Sequence, residues 1–216
     1  IERVEMGNLV MENIPGIPAD VSERIRQYQN VRGHGFQDWI GEDILISTRF
    51  GEVSQIHRVG MPGCARQQVT FYDEPVGGAL VSPDGGAFLF GKDTGGDEFF
   101  QGHLFNVADG SVTVFTEPGT RNGALNWSGN GEMAVWYRAV RGEADWDILA
   151  ADPADPASLR VIHEGEGALV PIDVDETGET VLVQQYISIT KSRLFILDVA
   201  SGDFRELNPQ LDVAYS

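Results

Sequence analysis

Four copies of a short pattern most constrain what this chain can fold into. Each copy is a glycine followed by an apolar run rich in β-branched and aromatic residues, and a second apolar run follows each of them. The copies begin 44, 46 and 47 positions apart, at Gly41, Gly85, Gly131 and Gly178. A period of about 40–50 residues with several strands per unit is typical of β-propeller blades.

We therefore expect an all-β fold: a β-propeller array of about four blades, each of four antiparallel strands. The dipeptides Asp84-Gly85 and Asn130-Gly131 support this prediction, because they place glycine where a hairpin turn needs a positive φ. The predicted blades cover 35–75, 76–120, 121–167 and 168–209. Residues 210–216 resemble the inner strand of a further blade. Because an open array leaves strand edges unpaired, we expect these blades to be part of a larger propeller.

Residues 1–34 lie outside the repeat and form a predicted N-terminal extension. Asp20 and Glu23 have the spacing of a capping box, and apolar residues at helical spacing follow them. The pattern predicts a short helix over about 20–30 that packs across the rim of the blades. Among the blades themselves, five aromatic residues are expected to be buried between sheets: Phe88, Phe90, Trp127, Trp136 and Phe195.

The charge and the lengths of the apolar stretches argue against two classes of partner. Lys and Arg total 15 against 33 Asp and Glu, which gives a formal net charge of −18. A surface of this sign repels phosphate backbones, so we expect no nucleic-acid partner. No stretch approaches the roughly 20 apolar residues of a membrane-spanning helix, so we expect no membrane partner. The single cysteine, Cys64, excludes an internal disulfide framework.

No catalytic motif is present in these 216 residues. The sequence lacks a G-x-S-x-G elbow, an H-E-x-x-H pair and a C-x-x-C pair, and its four histidines are scattered. A P-loop-like spacing ends in Lys92-Asp93, where Mg²⁺ binding would need Ser or Thr. The calcium-loop-like start at Asp173 has Gln184 where a bidentate Glu is required. We expect no catalytic residue, cofactor or metal site in this chain.

Two patches are candidates for ligand binding. Asp97 and Glu98 form an acidic pair on a glycine-rich loop between two strands, where paired carboxylates can hold a cationic amine. A solvated turn in an acidic protein is the simpler interpretation of that pair. Arg121 precedes the inner strand of the third blade. We expect it either to bridge neighbouring blades, which we favour, or to reach a carboxylate across the channel.

Eight short segments of the chain carry a family resemblance: 6–15, 46–51, 55–59, 68–71, 74–76, 92–101, 120–123 and 127–128. They resemble a bacterial subgroup of the prolyl oligopeptidase family of serine peptidases. The resemblance spans the chain, and after about residue 130 the repeats also resemble TolB-like and WD-repeat-like propellers.

The resemblance implies a two-part parent enzyme. In that family a propeller of seven or eight blades caps a C-terminal α/β-hydrolase domain with a Ser-His-Asp triad, and it admits peptides while excluding folded proteins. This chain lacks that domain, so we expect a non-catalytic part that gates and binds peptide substrates. Its implied partners are the hydrolase domain and the peptide, in the cytoplasm or periplasm of a bacterium. A stand-alone interaction propeller and a self-complete, four-bladed or oligomeric propeller are the alternatives.

Overall fold

A computed structural model describes residues 2–207 and residue 209. The chain starts with a two-stranded antiparallel hairpin, β1 (Arg3–Met6) and β2 (Leu9–Glu12), that the sequence analysis did not predict. The predicted helix follows as α1 (Ala19–Gln29). The expected start of a further blade at 210–216 lies outside the described residues.

The predicted capping box of α1 is wrong. Pro18 occupies the N-cap position, no side chain caps the helix, and Asp20 lies within its first turn. Proline fits this position because its φ is fixed and it needs no amide partner at the helix start. None of the helix residues is buried, so α1 does not pack closely across the rim as expected. The Arg49 guanidinium contacts its last turn, donating to the carbonyl of Gln29 over 2.5 Å.

The predicted all-β blade architecture is confirmed. Four separate four-stranded antiparallel sheets follow the helix, each made of strands consecutive in the chain. The third sheet also carries a short 3-10 turn, Pro156–Ser158. The strands, sheet by sheet, are β3 (Gly35–Ile40), β4 (Asp43–Thr48), β5 (Gln55–Val59) and β6 (Gln67–Gln68); β7 (Gly77–Val81), β8 (Ala87–Lys92), β9 (Gln101–Asn106) and β10 (Val112–Val114); β11 (Arg121–Trp127), β12 (Ala134–Ala139), β13 (Trp146–Ala151) and β14 (Arg160–His163); β15 (Ala168–Val174), β16 (Thr180–Ser188), β17 (Lys191–Asp198) and β18 (Phe204–Glu206).

We refer to these sheets as blades 1 to 4. The first strand of each is the inner strand, which lies beside the inner strand of the next blade. The turn between inner and second strand has the expected chemistry, with φ of +73° at Gly85 and +74° at Gly131. No helix in the described part of the chain is long and apolar enough to cross a membrane.

Every inner strand contains an irregularity in its pairing with the second strand. The register shifts between Phe36 and Asp38 in blade 1, and at the corresponding place in the other three blades. A bulge leaves a residue unpaired, bends the strand and increases its twist. The inner strands therefore bend where they approach one another. The residues that follow the bulges are Asp38, Leu80, Asn126 and Asp173.

The hydrophobic core is divided into three clusters, one between each pair of neighbouring blades. Phe88 and Phe90 are buried between blades 1 and 2, and Trp136 between blades 2 and 3, as predicted. Because each blade buries its faces only against its neighbours, the stability of the array depends on stacking.

Two of the five aromatic predictions are only partly correct. Trp127 is half-buried, and its indole Nε1 donates to the carbonyl of Leu80 across the joint between blades 2 and 3 at 3.0 Å. Phe195 is also half-buried, and its ring stacks on Phe204 of the short edge strand β18. Both rings contact a core cluster from its margin rather than filling its centre.

Candidate functional site

The candidate residues all lie toward one edge of the blades. In a four-stranded antiparallel sheet, the start of the first strand, the end of the second, the start of the third and the end of the fourth share an edge. We call this the leading edge, where the inner strands β3, β7, β11 and β15 begin. The loop 93–100 joins β8 to β9 at this edge, and Arg121 begins β11 there.

The acidic pair lies on a well-braced loop. The Asp97 carboxylate accepts a hydrogen bond from the Phe99 amide at 2.9 Å, and the side chains of both Asp97 and Glu98 are exposed. Glu98 has a φ of +61°, and its amide donates to the buried Asp93 carboxylate at 3.0 Å. Asp97 therefore serves the local turn, whereas the Glu98 carboxylate points to no described partner.

Three further contacts anchor this loop. The Lys92 ammonium lies 3.0 Å from the Glu74 carboxylate, which also accepts a hydrogen bond from the Gly95 amide. The hydrogen bond from Lys92, with that from Gly95, lowers the pKa of Glu74. The Arg141 guanidinium lies 3.8 Å from the centre of the Phe99 ring, joining the loop to the equivalent loop of blade 3.

A cavity of about 540 Å³ opens between the inner strands of blades 2 and 3. This volume lies within the range of about 300–1,000 Å³ that is typical of small-molecule sites. Glycines form much of its wall, together with aromatic and amide side chains, and Arg121 is the only charged residue among the described residues that line it. Asp97 and Glu98 do not line it. The lining residues important here are Gln37, Gly77, Gly78, Phe100, Arg121 and Tyr137.

Arg121 does not form the bridge between blades that we favoured. No carboxylate in the described part of the chain lies within 4.0 Å of its guanidinium, and its buried Nε has no hydrogen-bond partner there. The bridging arginine is Arg138 of β12. Its guanidinium contacts Glu117 of blade 2 at 2.8 Å and Asp147 of blade 3 at 2.7 Å.

Asn122, which the sequence analysis did not single out, determines how β11 begins. Both its amide N–H and its side-chain Nδ2 donate to the carbonyl of Phe100, at 3.0 and 3.1 Å. Its Oδ1 accepts a hydrogen bond from the indole of Trp136 at 3.1 Å. The start of β11 is thereby fastened to the start of β9, the third strand of blade 2. The signal in the sequence was the Arg-Asn-Gly step at the head of an inner strand.

The joint between blades 2 and 3 differs from its neighbours, which explains the cavity. In blade 1, Asp38 Oδ2 accepts the Val81 amide of the next inner strand at 2.8 Å, and in blade 3, Asn126 Nδ2 donates to the Pro171 carbonyl at 3.1 Å. The equivalent residue of blade 2 is Leu80, which cannot form such a bond. With β11 held on β9, the space over the glycines of β7 stays open.

A second cavity, of about 610 Å³, lies on the face of blade 1 that points away from blade 2. Ile44, Ile46 and Val59 form an apolar wall there, and Arg66 stacks on Phe50 at 4.3 Å. The neighbouring His57 is buried, and its Nε2 has no hydrogen-bond partner among the described residues. Burial lowers the pKa of His57, so its ring is neutral near pH 7. Among the residues that the structure describes, no cluster of His, Cys, Asp and Glu is arranged to hold a metal ion.

No protein-family model matches the chain, and no curated protein matches it in sequence. Solved structures do match it in fold. A prolyl endopeptidase superimposes with a TM-score of 0.66 at 13% identity, over 85% of this chain and 30% of its own.

Two other structures show the same blade architecture. A TolB protein from Agrobacterium tumefaciens matches with a TM-score of 0.61 at 19% identity, over 82% of this chain and 65% of its own. An oligogalacturonate lyase from Vibrio parahaemolyticus gives 0.65 at 13% identity, over 81% and 52%. These likenesses support a β-propeller of the type found in prolyl endopeptidases and TolB proteins. The chain spans less than two thirds of the length of each of these three proteins.

Proposed function

We propose that this chain is the non-catalytic propeller portion of a serine peptidase similar to prolyl oligopeptidases, and that it binds and gates peptide substrates. The observation that carries the proposal is the cavity between blades 2 and 3. It opens among the inner strands, and it combines apolar and aromatic walls with a single cation. Pockets that bind ligands commonly pair an apolar wall with a few placed polar groups.

In this proposal the catalytic chemistry belongs to an α/β-hydrolase domain outside these 216 residues. The propeller contributes a narrow approach, which an extended peptide can pass and a folded protein cannot. The acidic pair Asp97 and Glu98 lies on the same edge, and we assign it a supporting role in holding the amine of a peptide. The fold match to a prolyl endopeptidase is the comparison that supports the peptidase proposal as a whole.

The test is a binding assay with a pocket-filling variant. A Cβ added at Gly77 meets no atom within 4 Å, and the residue lines the cavity. Gly77→Phe therefore places a large side chain in the cavity without a backbone clash. Gly16→Phe is the matched control, because Gly16 is equally uncrowded and lies in the N-terminal extension.

We expect the purified chain to bind a fluorescent peptide of about eight residues, measured by anisotropy, and to hydrolyse no peptidyl ester. Gly77→Phe should abolish binding while Gly16→Phe retains it. Equal binding by both variants would contradict the assignment of the cavity. Hydrolysis that depends on an active serine of this chain would contradict the non-catalytic role.

A stand-alone interaction propeller of the TolB type is the second candidate. The observation that favours it is the match to the Agrobacterium TolB protein, of which this chain covers 65%. The reading frame of the gene downstream of Ser216 separates the two candidates. Further blades followed by a G-x-S-x-G elbow support the peptidase, whereas a stop codon soon after Ser216 supports the interaction propeller.

A further inference from the structure

We infer that the cavity between blades 2 and 3 is a carboxylate-binding site, in which the Arg121 guanidinium receives the negative group of the ligand. This inference deepens the proposed function and rests on it for the assignment of a peptide as the natural ligand. The carboxylate itself has two sources with the same chemistry, the C-terminus of a peptide and the acid group of a uronic sugar.

Arg121 carries a charge that no carboxylate of the described chain matches. The other half-buried arginines of the described chain each have a polar partner in the protein: Arg49, Arg58, Arg66 and Arg138. Arg121 has no carboxylate within ion-pair distance among the described residues, and its Nε is buried without a hydrogen-bond partner there. Buried polar groups are nearly always satisfied, and an exception calls for a specific explanation. An anionic ligand in the cavity supplies acceptors for the terminal nitrogens of this guanidinium, since the buried Nε itself is out of its reach.

The composition of the cavity wall also favours an anionic ligand. Arg121 is the only charged residue among the described residues that line it, so no neighbouring wall residue competes for the guanidinium. The amide side chains nearby are already engaged: Gln101 Nε2 donates to the Thr120 carbonyl at 2.7 Å, and Gln37 Oε1 accepts the Ala79 amide at 3.2 Å. Arg121 is therefore the group left to recognise a charged ligand.

The cavity that Arg121 lines also has room for a planar group. A Cβ added at Gly78 would meet no atom within 4 Å, so this part of the cavity wall is open. At Gly123 a Cβ would lie 2.5 Å from the Tyr137 hydroxyl oxygen, which shows that the Tyr137 ring packs directly on the backbone of β11. Gly78, Tyr137 and Arg121 line the same cavity, so the charged group shares it with an aromatic ring and an open glycine surface. A planar carboxylate, which Arg binds through two parallel hydrogen bonds, fits this arrangement.

The experiment compares three probes by isothermal titration calorimetry. They are a blocked tripeptide, acetyl-Ala-Pro-Ala, with a free C-terminal carboxylate; the same tripeptide as its amide; and digalacturonate. Each is titrated into the unaltered chain, into Arg121→Gln and into the control Arg160→Gln. Arg160 is exposed on the opposite edge of blade 3, so its replacement makes the same change in charge away from the cavity.

We expect the free-acid peptide to bind about tenfold to a hundredfold more tightly than its amide. Arg121→Gln should remove this preference, and Arg160→Gln should keep it. Raising the salt from 0.05 to 0.5 M should weaken the acid much more than the amide, because added ions screen the charge pair. Unfolding midpoints of both variants within a degree or two of the unaltered chain exclude misfolding as the cause.

Each other outcome has a distinct meaning. If acid and amide bind equally well, and Arg121→Gln changes neither, the carboxylate site is overturned while the peptide-binding function stands. If digalacturonate binds through Arg121 and neither peptide does, the carboxylate site stands and the proposed peptide function fails. If none of the three probes binds, both proposals are overturned.

Discussion

Trp136 is the residue whose removal should damage the array most. Its side chain is fully buried between blades 2 and 3, and its ring meets Phe115 edge to face, with 5.1 Å between ring centroids. Replacing it with Ala removes the largest buried side chain of that cluster and leaves a cavity, which costs about 3–5 kcal/mol. The change also leaves Asn122 Oδ1 without its donor, and an unsatisfied buried acceptor costs about 1–3 kcal/mol. We therefore expect Trp136→Ala to lie at the upper end of the 3–5 kcal/mol range.

The measurement is urea unfolding followed by far-ultraviolet circular dichroism, which does not depend on the fluorescence of the removed indole. Trp39→Ala is the matched control, because Trp39 is 62% exposed and its loss should change the free energy of unfolding by about 0.5 kcal/mol or less. If the two variants unfold at the same urea concentration with equal slopes, the placement of Trp136 in an inter-blade core is refuted.

A double-mutant cycle isolates the hydrogen bond between Trp136 and Asn122. Trp136→Phe keeps most of the apolar volume but removes the indole donor. Asn122→Ala should then cost less in the Trp136→Phe background than in the unaltered chain, with a coupling energy of about 0.5–3 kcal/mol. Costs that add to within about 0.3 kcal/mol would show that the 3.1 Å contact contributes nothing to stability.

Three further predictions concern the leading edge and its support. Burial lowers the pKa of His103 from its usual 6.5, so on acidification the unfolded chain binds a proton at a higher pH than the folded chain does. The stability that the neutral imidazole contributes is therefore present above about pH 6.5 and is lost as the pH falls through the folded pKa. His103→Phe should reduce the slope of the unfolding free energy against pH between pH 7 and 5. An unchanged slope would contradict the lowered pKa of His103. Gly123→Ala should push the Tyr137 ring into the cavity and weaken peptide binding about tenfold, measured by anisotropy; unchanged affinity would show that the ring does not border the ligand. Asp97→Ala should change the urea midpoint little, by about 0.5 kcal/mol or less, because its exposed carboxylate supports one turn amide; a loss above 2 kcal/mol would show a wider structural role.

The blade architecture was predictable because its signals are local and repeated. Each glycine turn is followed by an apolar run of the right length, and four such units leave little choice but an array of hairpins. The same rules would also have found the first hairpin, since Gly7-Asn8 is a favoured hairpin turn that follows the alternating run 3–6 and precedes the apolar residues of 9–12. The cap of α1 was predicted wrongly because Asp20 was assumed to precede the helix, whereas Pro18 already ends the extended approach.

The candidate site was predictable only in part. Arg121 and the acidic pair could be recognised as charged groups at strand ends, but the sequence does not show that the arginine lines a cavity while the acids stay on an outer loop. That distinction depends on how far neighbouring inner strands separate, which is decided by contacts between residues more than 40 positions apart. The bridge between blades is made by Arg138 and not by Arg121, because Arg138 is the arginine that reaches Glu117 of the preceding blade.

The position of the cavity follows from one exception to a rule that the other joints obey. After each bulge, an Asp or Asn can bind the backbone of the neighbouring inner strand, as Asp38 and Asn126 do. Blade 2 has Leu80 at this position, so its inner strand offers no such bond, and Trp127 of blade 3 reaches over to the Leu80 carbonyl instead. That bond lies at the end of β11 farther from the leading edge, whereas Asn122 fastens the start of β11 to β9 at the leading edge. The two inner strands are thus joined at one end and held apart at the other, and the gap faces the edge where Arg121 lies. The cavity therefore arises where one joint departs from the repeat, and its proposed function has to be argued from that joint rather than from the fold.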